Sequence, residues 1–368
     1  MRLNTLNRLN TLNSFGAKKA GQSWSTYWTP QTAVVENAVP TDVVLTYAKA
    51  INPADAIAGN FTIVGKTISS AVLDGTGKIL TLTVTVAFVY GDSITVVANG
   101  TGIAVINNIN AEAELTAYIT GLATPLSSAQ LKKINDFILT RKSGWAVADL
   151  ADVDDAEYIL AGETSESSLK NLVKNAHHAV AVNSPTFTAF EGFQGDGISS
   201  YIDLNYNIVT EGENYVQDSA SIGVYSRSDV AEVAVELGSR SSSSDNRANL
   251  ILRNSDVFIV RVNTSGMSFG SAANTDSLGM YYGVRTASNA MKGYKNKTEV
   301  VTDTRVSVAP YSGNCFALCT NEAGSPLAFS TKQLAFISFG KGYSQDMVNT
   351  GTDTIEAYMD SNGKGVIA

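Results

Sequence analysis

Cysteine is nearly absent. Cys315 and Cys319 are the two in 368 residues, in GNCFALCTN. On a strand they point the same way but lie about 13 Å apart, beyond disulfide reach. They are expected to be small core residues kept as thiols. Histidine is as scarce, with His177 and His178 side by side, so a zinc site of soft ligands lacks material. Strand neighbours face opposite sides, so at most one histidine can serve a given site. One is expected to be buried and hydrogen-bonded, the other exposed. No Gly-x-Ser-x-Gly elbow occurs, and kinase, phosphatase and deamidase motifs are missing. Charged residues make up only 16% of the chain. No apolar run reaches the length of a membrane span, and the first thirty residues lack the apolar centre of a secretory signal. The expectation is a chain made and folded in a cytosol, with no membrane insertion.

What is present is unevenly placed. The formal net charge is −8, but residues 1–30 hold Arg2, Arg8, Lys18 and Lys19 and no acid. That segment carries +4 and leaves −12 for the rest. A bulk so acidic repels polyphosphate, which argues against nucleic acid as a partner. The basic segment suits an acidic protein surface. It opens with RLNTLNRLNTLN, one hexapeptide written twice at 2–13. Leu3, Leu6, Leu9 and Leu12 recur every third residue. On a helix that stripe drifts by roughly 60° per step, and on a strand it alternates faces. Neither arrangement folds alone. Two readings stand: an attachment arm ordered by a partner's groove, or a frayed terminus. Trp24 and Trp28, in SWSTYWTP, join the first reading as interface aromatics, or else cap the first domain.

Residues 31–120 read as strands. VVLTYAK, FTIVG, ILTLTVTVAFV and SITVVAN are rich in β-branched residues and are separated by turn signals such as DGTGK and YGDS. Leu80, Leu82, Val84 and Val86 alternate with threonine or alanine, as a half-buried strand does. The spacing suits a small sandwich. TDVVLTYAKAINPADAIAGNFTIVG followed by LDGTGKILTLTVTVAFVYGDSITVVAN resembles the SwmB-type immunoglobulin-like repeats of bacteria and phages. The resemblance implies a spacer or adhesion unit without chemistry.

TPLSSAQLKKINDFILTRKSG, at 124–144, reads as a linker helix packed on the domain after it. Ser127 or Ser128 caps it, Gly144 closes it, and Leu131, Ile134 and Ile138 form its apolar stripe. Lys132, Lys133, Arg141 and Lys142 are expected in solvent. Residues 145–368 return to strands, among them VAEVAVELGS, MYYGVRT and QLAFISFG. Nine or so short strands point to a jelly roll or another large sandwich. DTIEAYMDSNGKGVIA closes the chain with a short amphipathic helix through Ile355, Tyr358 and Met359. VNSPTFTAFEGFQGDGISSYIDLNYN (182–207), together with FISFGKGYSQDMVNTGTDTIEAYMDSNGK, resembles the concanavalin A-like (laminin-G-like) domains of tailed-phage and prophage virion proteins. That resemblance implies a virion structural protein.

Folds of this kind also host glucanases. Their retaining members carry Glu-x-Asp-x-(x)-Glu on one strand, with two carboxyl groups roughly 5 Å apart. AEVAVELG offers Glu232 and Glu236 on one strand face, but the middle position is Ala234. The source of a pKa separation is missing, so no catalytic residue is expected. The resemblance also implies Ca²⁺ at a sandwich rim, for which Asp196, Asp203 and Asn205 are the nearest oxygen donors; turn formation accounts for the same residues. GDG at 195–197 reads as a tight turn. Exposed aromatics for stacking on sugars would be Tyr281, Tyr282 and Tyr294, unless they are core. SRSSSSDNRANL (239–250) reads as a polar loop, too long for a tight hairpin: either a variable tip on a rigid sandwich, where recognition would sit, or a solvated linker.

The whole is expected to be all-β. A basic arm (1–30) docks on other virion proteins through Arg2, Leu3, Leu6, Arg8, Leu9, Leu12, Trp24 and Trp28. An immunoglobulin-like sandwich (31–120), a linker helix (121–144) and a concanavalin A-like jelly roll (145–368) follow. The function expected is a tail fibre, tail-tip or head-fibre subunit, trimeric by its fibre-like layout, showing a host glycan-binding sandwich. A bacterial adhesin and a glycoside hydrolase are the alternatives. No cofactor other than Ca²⁺ is expected.

Overall fold

A computed structural model describes residues 30–367 apart from 38, 99–100, 243–244 and 267–268. The hexapeptide repeat, Trp24 and Trp28 lie outside the described residues. The chain is all-β with a few helices and divides into two compact units, residues 1–111 and 112–368.

In the first unit seven strands form one hydrogen-bonded path. From edge to edge it runs Phe61–Ile63, Ile94–Ala98, Thr101–Asn108, Thr32–Glu36, Asp42–Thr46, Ile79–Val84 and Ile68–Leu73. Every pairing is antiparallel except that of Thr32–Glu36 with Thr101–Asn108. Period-two alternation fixes the inner face: Val43, Leu45, Leu80 and Leu82 are fully buried. Phe61 and Ile63 from one edge join the same core, so the path folds over on itself as a sandwich. The alternation stops at Val84. Val86, expected to continue it, is exposed. The DGTGK turn is tied by Asp74, whose carboxylate accepts from the N–H groups of Lys78 and Ile79 at 3.0 and 2.9 Å.

The second unit starts earlier than the strand signals imply. α1 (Ala113–Ile119) and α2 (Ser128–Trp145) both fall within it, so the helix at 121–144 groups with the domain that follows. Ser127 caps α2, its side chain accepting from Gln130 N–H at 3.3 Å. The helix runs one residue past Gly144 and closes on Ala146, which takes the left-handed conformation. Gly144 instead lets a second helix approach, because a β-carbon there would stand 2.4 Å from Thr350 of α4 (Gln345–Ser361), which packs alongside. A short helical turn, α3 (Ser165–Ser168), lies between them in the chain.

Two sheets sandwich one core. The first runs Thr186–Thr188, Gly192–Gln194, Gln333–Gly340, Ala220–Ser226, Gly279–Ala287, Ala290–Lys295 and Thr298–Asp303, with Asp154–Tyr158 also pairing on Gln333–Gly340. The second runs Gly270–Ala273, Val257–Thr264, Arg247–Ile251, Leu237–Arg240, Asn314–Ala317, Tyr201–Asn207 and Val180–Val182. The hairpin of Thr320–Glu322 and Ser325–Leu327 attaches to Leu237–Arg240. Ile222, Val224 and Ile337 of the first sheet meet Leu237, Leu250 and Val260 of the second. Both thiols, Cys315 and Cys319, are buried and unbridged. α2 and α4 cover the outer face of the first sheet, where Phe137 meets Phe336 and Tyr343 meets Tyr282. Among the described residues, no helix is long and apolar enough to cross a membrane.

Candidate functional site

Three expected sugar platforms are inside. Tyr281, Tyr282 and Tyr294 are 0, 0 and 2% exposed. Tyr281 faces the sandwich core; Tyr282 faces the helices, its ring centroid 5.5 Å from that of Tyr343. None offers a face for stacking on a sugar. The strand is buried on both sides, one by the second sheet and the other by α2 and α4, which residue type alone did not reveal.

The three expected calcium donors serve the backbone. Asp196 Oδ1 accepts from Ser199, Ser200 and Ile198 N–H at 2.8–2.9 Å. Those bonds hold its carboxyl well below the usual carboxylate range. GDG is the expected turn, with Gly197 at φ +70°. Asp203 Oδ1 accepts from Asn205 N–H and from the side chain of Asn314. Asn205 donates to His178 O at 2.8 Å. Among the described residues no group of three His, Cys, Asp or Glu side chains is set to hold a metal. The histidines are both half-buried, against the expectation of one in and one out. His177 Nε2 lies 3.1 Å from Glu211, and His178 Nδ1 accepts from Asn171 N–H.

Glu232 and Glu236 do come together, but on the loop ahead of Leu237–Arg240 and not on a strand. Lys332 Nζ sits between them, 2.9 Å from each. Lys332 and Glu236 are fully buried. Ser330 Oγ donates to Glu232 at 2.6 Å, and Thr331 donates to it from both its N–H and its hydroxyl. Burial alone would raise the Glu232 carboxyl, yet these bonds and Lys332 outweigh it and leave it lowered. Acid-base cleavage needs one carboxyl kept protonated. Here one lysine bridges both carboxyl groups, and the cluster ties two loops together.

A second buried ionic group joins α2 to the first sheet. Arg141, expected in solvent, has no exposure. It pairs with Glu157, lies 3.6 Å from Asp154, and is ringed by Phe137, Trp145 and Phe336, each 4.7–4.9 Å from its guanidinium carbon. Tyr343 donates to Asp154. Burial raises the Asp154 carboxyl to about 7, against the pull of Arg141.

A different polar group lies on the outer face of the second sheet. SRSSSSDNRANL, expected as a loop, is largely a hairpin in which Ser239 pairs with Ala248 and Arg240 with Arg247. The next strand sets Arg261 opposite Asn249. Leu237, Ala248, Leu250, Val260 and Val262 point into the core, so Arg240, Arg247, Asn249 and Arg261 point away from it. Arg247, Asn249 and Arg261 are nevertheless 2, 0 and 5% exposed. Arg240 pairs with Glu322 at 2.5 Å and keeps an open edge. The sequence marked 239–250 as a recognition tip or a linker, but gave no sign that Arg261 joins it from the next strand.

No family model and no curated protein matches the chain. Among solved structures it is similar to a Trypanosoma rangeli sialidase mutant, at 9% identity and TM-score 0.41, over 81% of this chain and 43% of that one. It is similar to the binding domain of botulinum neurotoxin serotype D, at 11% identity and TM-score 0.38, over 55% and 52%. It is also similar to the CBM40 of a Ruminococcus gnavus IT-sialidase bound to α2,3-sialyllactose, at 14% identity and TM-score 0.33, over 43% and 96%. The chain spans about a quarter of the Streptococcus pneumoniae NanB sialidases it also matches. With scores this low, no residue's role is carried over from any of them.

Proposed function

We propose that this chain is a non-catalytic virion subunit whose second unit binds glycan. The observation that carries the binding half is the outer face of the second sheet. It gathers Arg240, Arg247 and Arg261 on three neighbouring strands, with Arg240 paired to Glu322 at the edge. The virion half rests on the resemblance of 182–207 and the closing segment to tailed-phage virion domains. The basic repeat at 2–13 then docks on an acidic neighbouring subunit, and the subunit assembles as a trimer. Display in many copies multiplies a weak contact with a host surface. In place of a catalytic pair, Glu232 and Glu236 share Lys332.

Mass spectrometry of purified particles tests the virion half: the chain is expected among the virion proteins and, after deletion of residues 2–13, is expected to be lost from them. Its absence from particles overturns that half. Binding to an immobilised glycan panel tests the other half, with no reducing-sugar release over the same glycans. Release that vanishes in Glu232→Gln would show a hydrolase instead.

A further inference from the structure

Lys332 and Glu236 are both fully buried, and they meet across the two sheets of the second unit. Glu236 stands one residue before Leu237–Arg240 of the second sheet, and Lys332 one residue before Gln333–Gly340 of the first. They are 96 residues apart in the chain. Lys332 Nζ lies 2.9 Å from Glu236 Oε1, and the carboxyl carbon is one C–O bond, about 1.2 Å, from that oxygen. Backbone bonds fix both ends. Glu236 N–H donates to Leu250 O, and Glu236 O accepts from Leu318 N–H. Lys332 N–H donates to Ser330 Oγ, and Lys332 O accepts from Gly195 N–H.

An amine held against a carboxyl group away from water is the reactant pair of an amide. Three further contacts supply what the condensation needs. Glu236 Oε2 accepts from Leu252 N–H at 2.8 Å, a donor placed for the oxyanion of a tetrahedral intermediate. Glu232 Oε1 lies 2.9 Å from the same Nζ, a base for the proton that the nitrogen sheds. Ser330 Oγ lies 2.6 Å from Glu232 and 3.4 Å from Glu236 Oε1, a path for that proton to the leaving oxygen. Glu232 is the base and not the acceptor, because Ser330 and Thr331 donate to both its oxygens and favour its carboxylate form. Well-oriented reactants reach effective concentrations of roughly 10⁵–10⁸ M, far above that of bulk water, which drives the reverse reaction.

We propose that Lys332 and Glu236 join in an internal isopeptide bond that staples one sheet to the other. A proton passes from the Lys332 ammonium to Glu236 Oε1, leaving a free amine and a carboxylic acid. The Nζ lone pair attacks Cδ, and the carbonyl electrons move onto Oε2. Nζ gives a proton to Glu232, which returns it through Ser330 to Oε1. The Cδ–Oε1 bond breaks, water leaves, and Oε2 is a carbonyl oxygen again. No oxidant or cofactor is consumed. The product satisfies its own polar groups: Oε2 keeps the Leu252 N–H, and the new amide N–H faces Glu232. It also removes two charges from a site where an ion pair is expensive to keep.

The test is mass spectrometry of the full chain, denatured and reduced. The wild-type chain is expected to be one water lighter than its sequence. Trypsin is expected to leave residues 228–240 joined to 306–341, uncut after Lys332. Lys332→Arg keeps the cation but cannot form the amide, and is expected at full mass with the two peptides separate. Glu232→Gln, slowed about a hundredfold by loss of the base, is expected to leave freshly purified chains mostly at full mass. A folded wild-type chain at full mass overturns the inference, as does a water loss traced to any other pair of residues. A fully closed Glu232→Gln chain overturns the role given to Glu232.

Discussion

Lys332 is a lysine with no exposure, held by two glutamates that come from a loop about a hundred residues earlier in the chain. Lys332→Met fits the space but strands the buried Glu236 carboxylate. The expected loss is about 3–5 kcal/mol, the usual cost of removing one member of a buried pair, read by urea unfolding of the second unit. Lys332→Met combined with Glu236→Gln is expected to recover part of it. A loss below about 1 kcal/mol in the single variant would mean that water reaches the cluster. Spacing in AEVAVELG was enough to pick out Glu232 and Glu236 as neighbours, with Ala234 between them. The lysine that bridges them was not legible, because nothing local links position 332 to 232. Tyr281, Tyr282 and Tyr294 show the same limit. A tyrosine reads alike in a core and on a rim until the layer above it is known.

At the scale of elements, Asp154–Tyr158 is the segment the sequence hid best. DDAEY looks like surface, yet all five residues are buried. Arg141 answers Asp154 and Glu157, while Asp155 accepts from the N–H groups of Glu213, Asn214 and Tyr215. One guanidinium faces two carboxylates, and a proton on Asp154 makes that group neutral. The folded carboxyl titrates near 7 and the unfolded one near 3.8. The contribution to stability is therefore full below about pH 4 and is lost as pH rises through about 7, at about 1.4 kcal/mol per pH unit across that window. Asp154→Asn keeps the shape without the charge. Scanning calorimetry is expected to show its melting temperature gaining on the wild type from pH 4 to 7 and holding a constant lead above that. Parallel curves over pH 4–8 would show that Asp154 stays ionised. By contrast α2 and the second half of α4 were legible from Ser127, the Ile134–Ile138 stripe and the Ile355–Met359 stripe, because their periodicity is local, while α4 starts at Gln345, ahead of the short helix expected from Asp353. The length of α2 was legible too; its role was not, since the burial of Arg141 depends on the sheet beneath.

At the scale of the molecule, two separate cores predict two separate events. One is built from Ala33 to Ala98 and the other from Ala156 to Phe339. Calorimetry of the full chain is expected to show two transitions, and limited proteolysis to cut near 109–112 before either unit is degraded. A single merged transition would mean that the units unfold as one. The all-β class and the two-sandwich division were readable from strand and turn signals. The boundary was not, because α1 and the start of α2 carry no more apolar pattern than a linker does.

The two unbridged thiols also give the molecule a built-in clock. Burial pushes Cys315 up to about 12, and Cys319 is raised by the same cause, so neither is a nucleophile at neutral pH while the sandwich stays shut. Alkylating reagents are expected to leave the intact chain unmarked. They would label it only at the rate at which these strands part, so mass gain against time reports how long this half of the chain survives between openings.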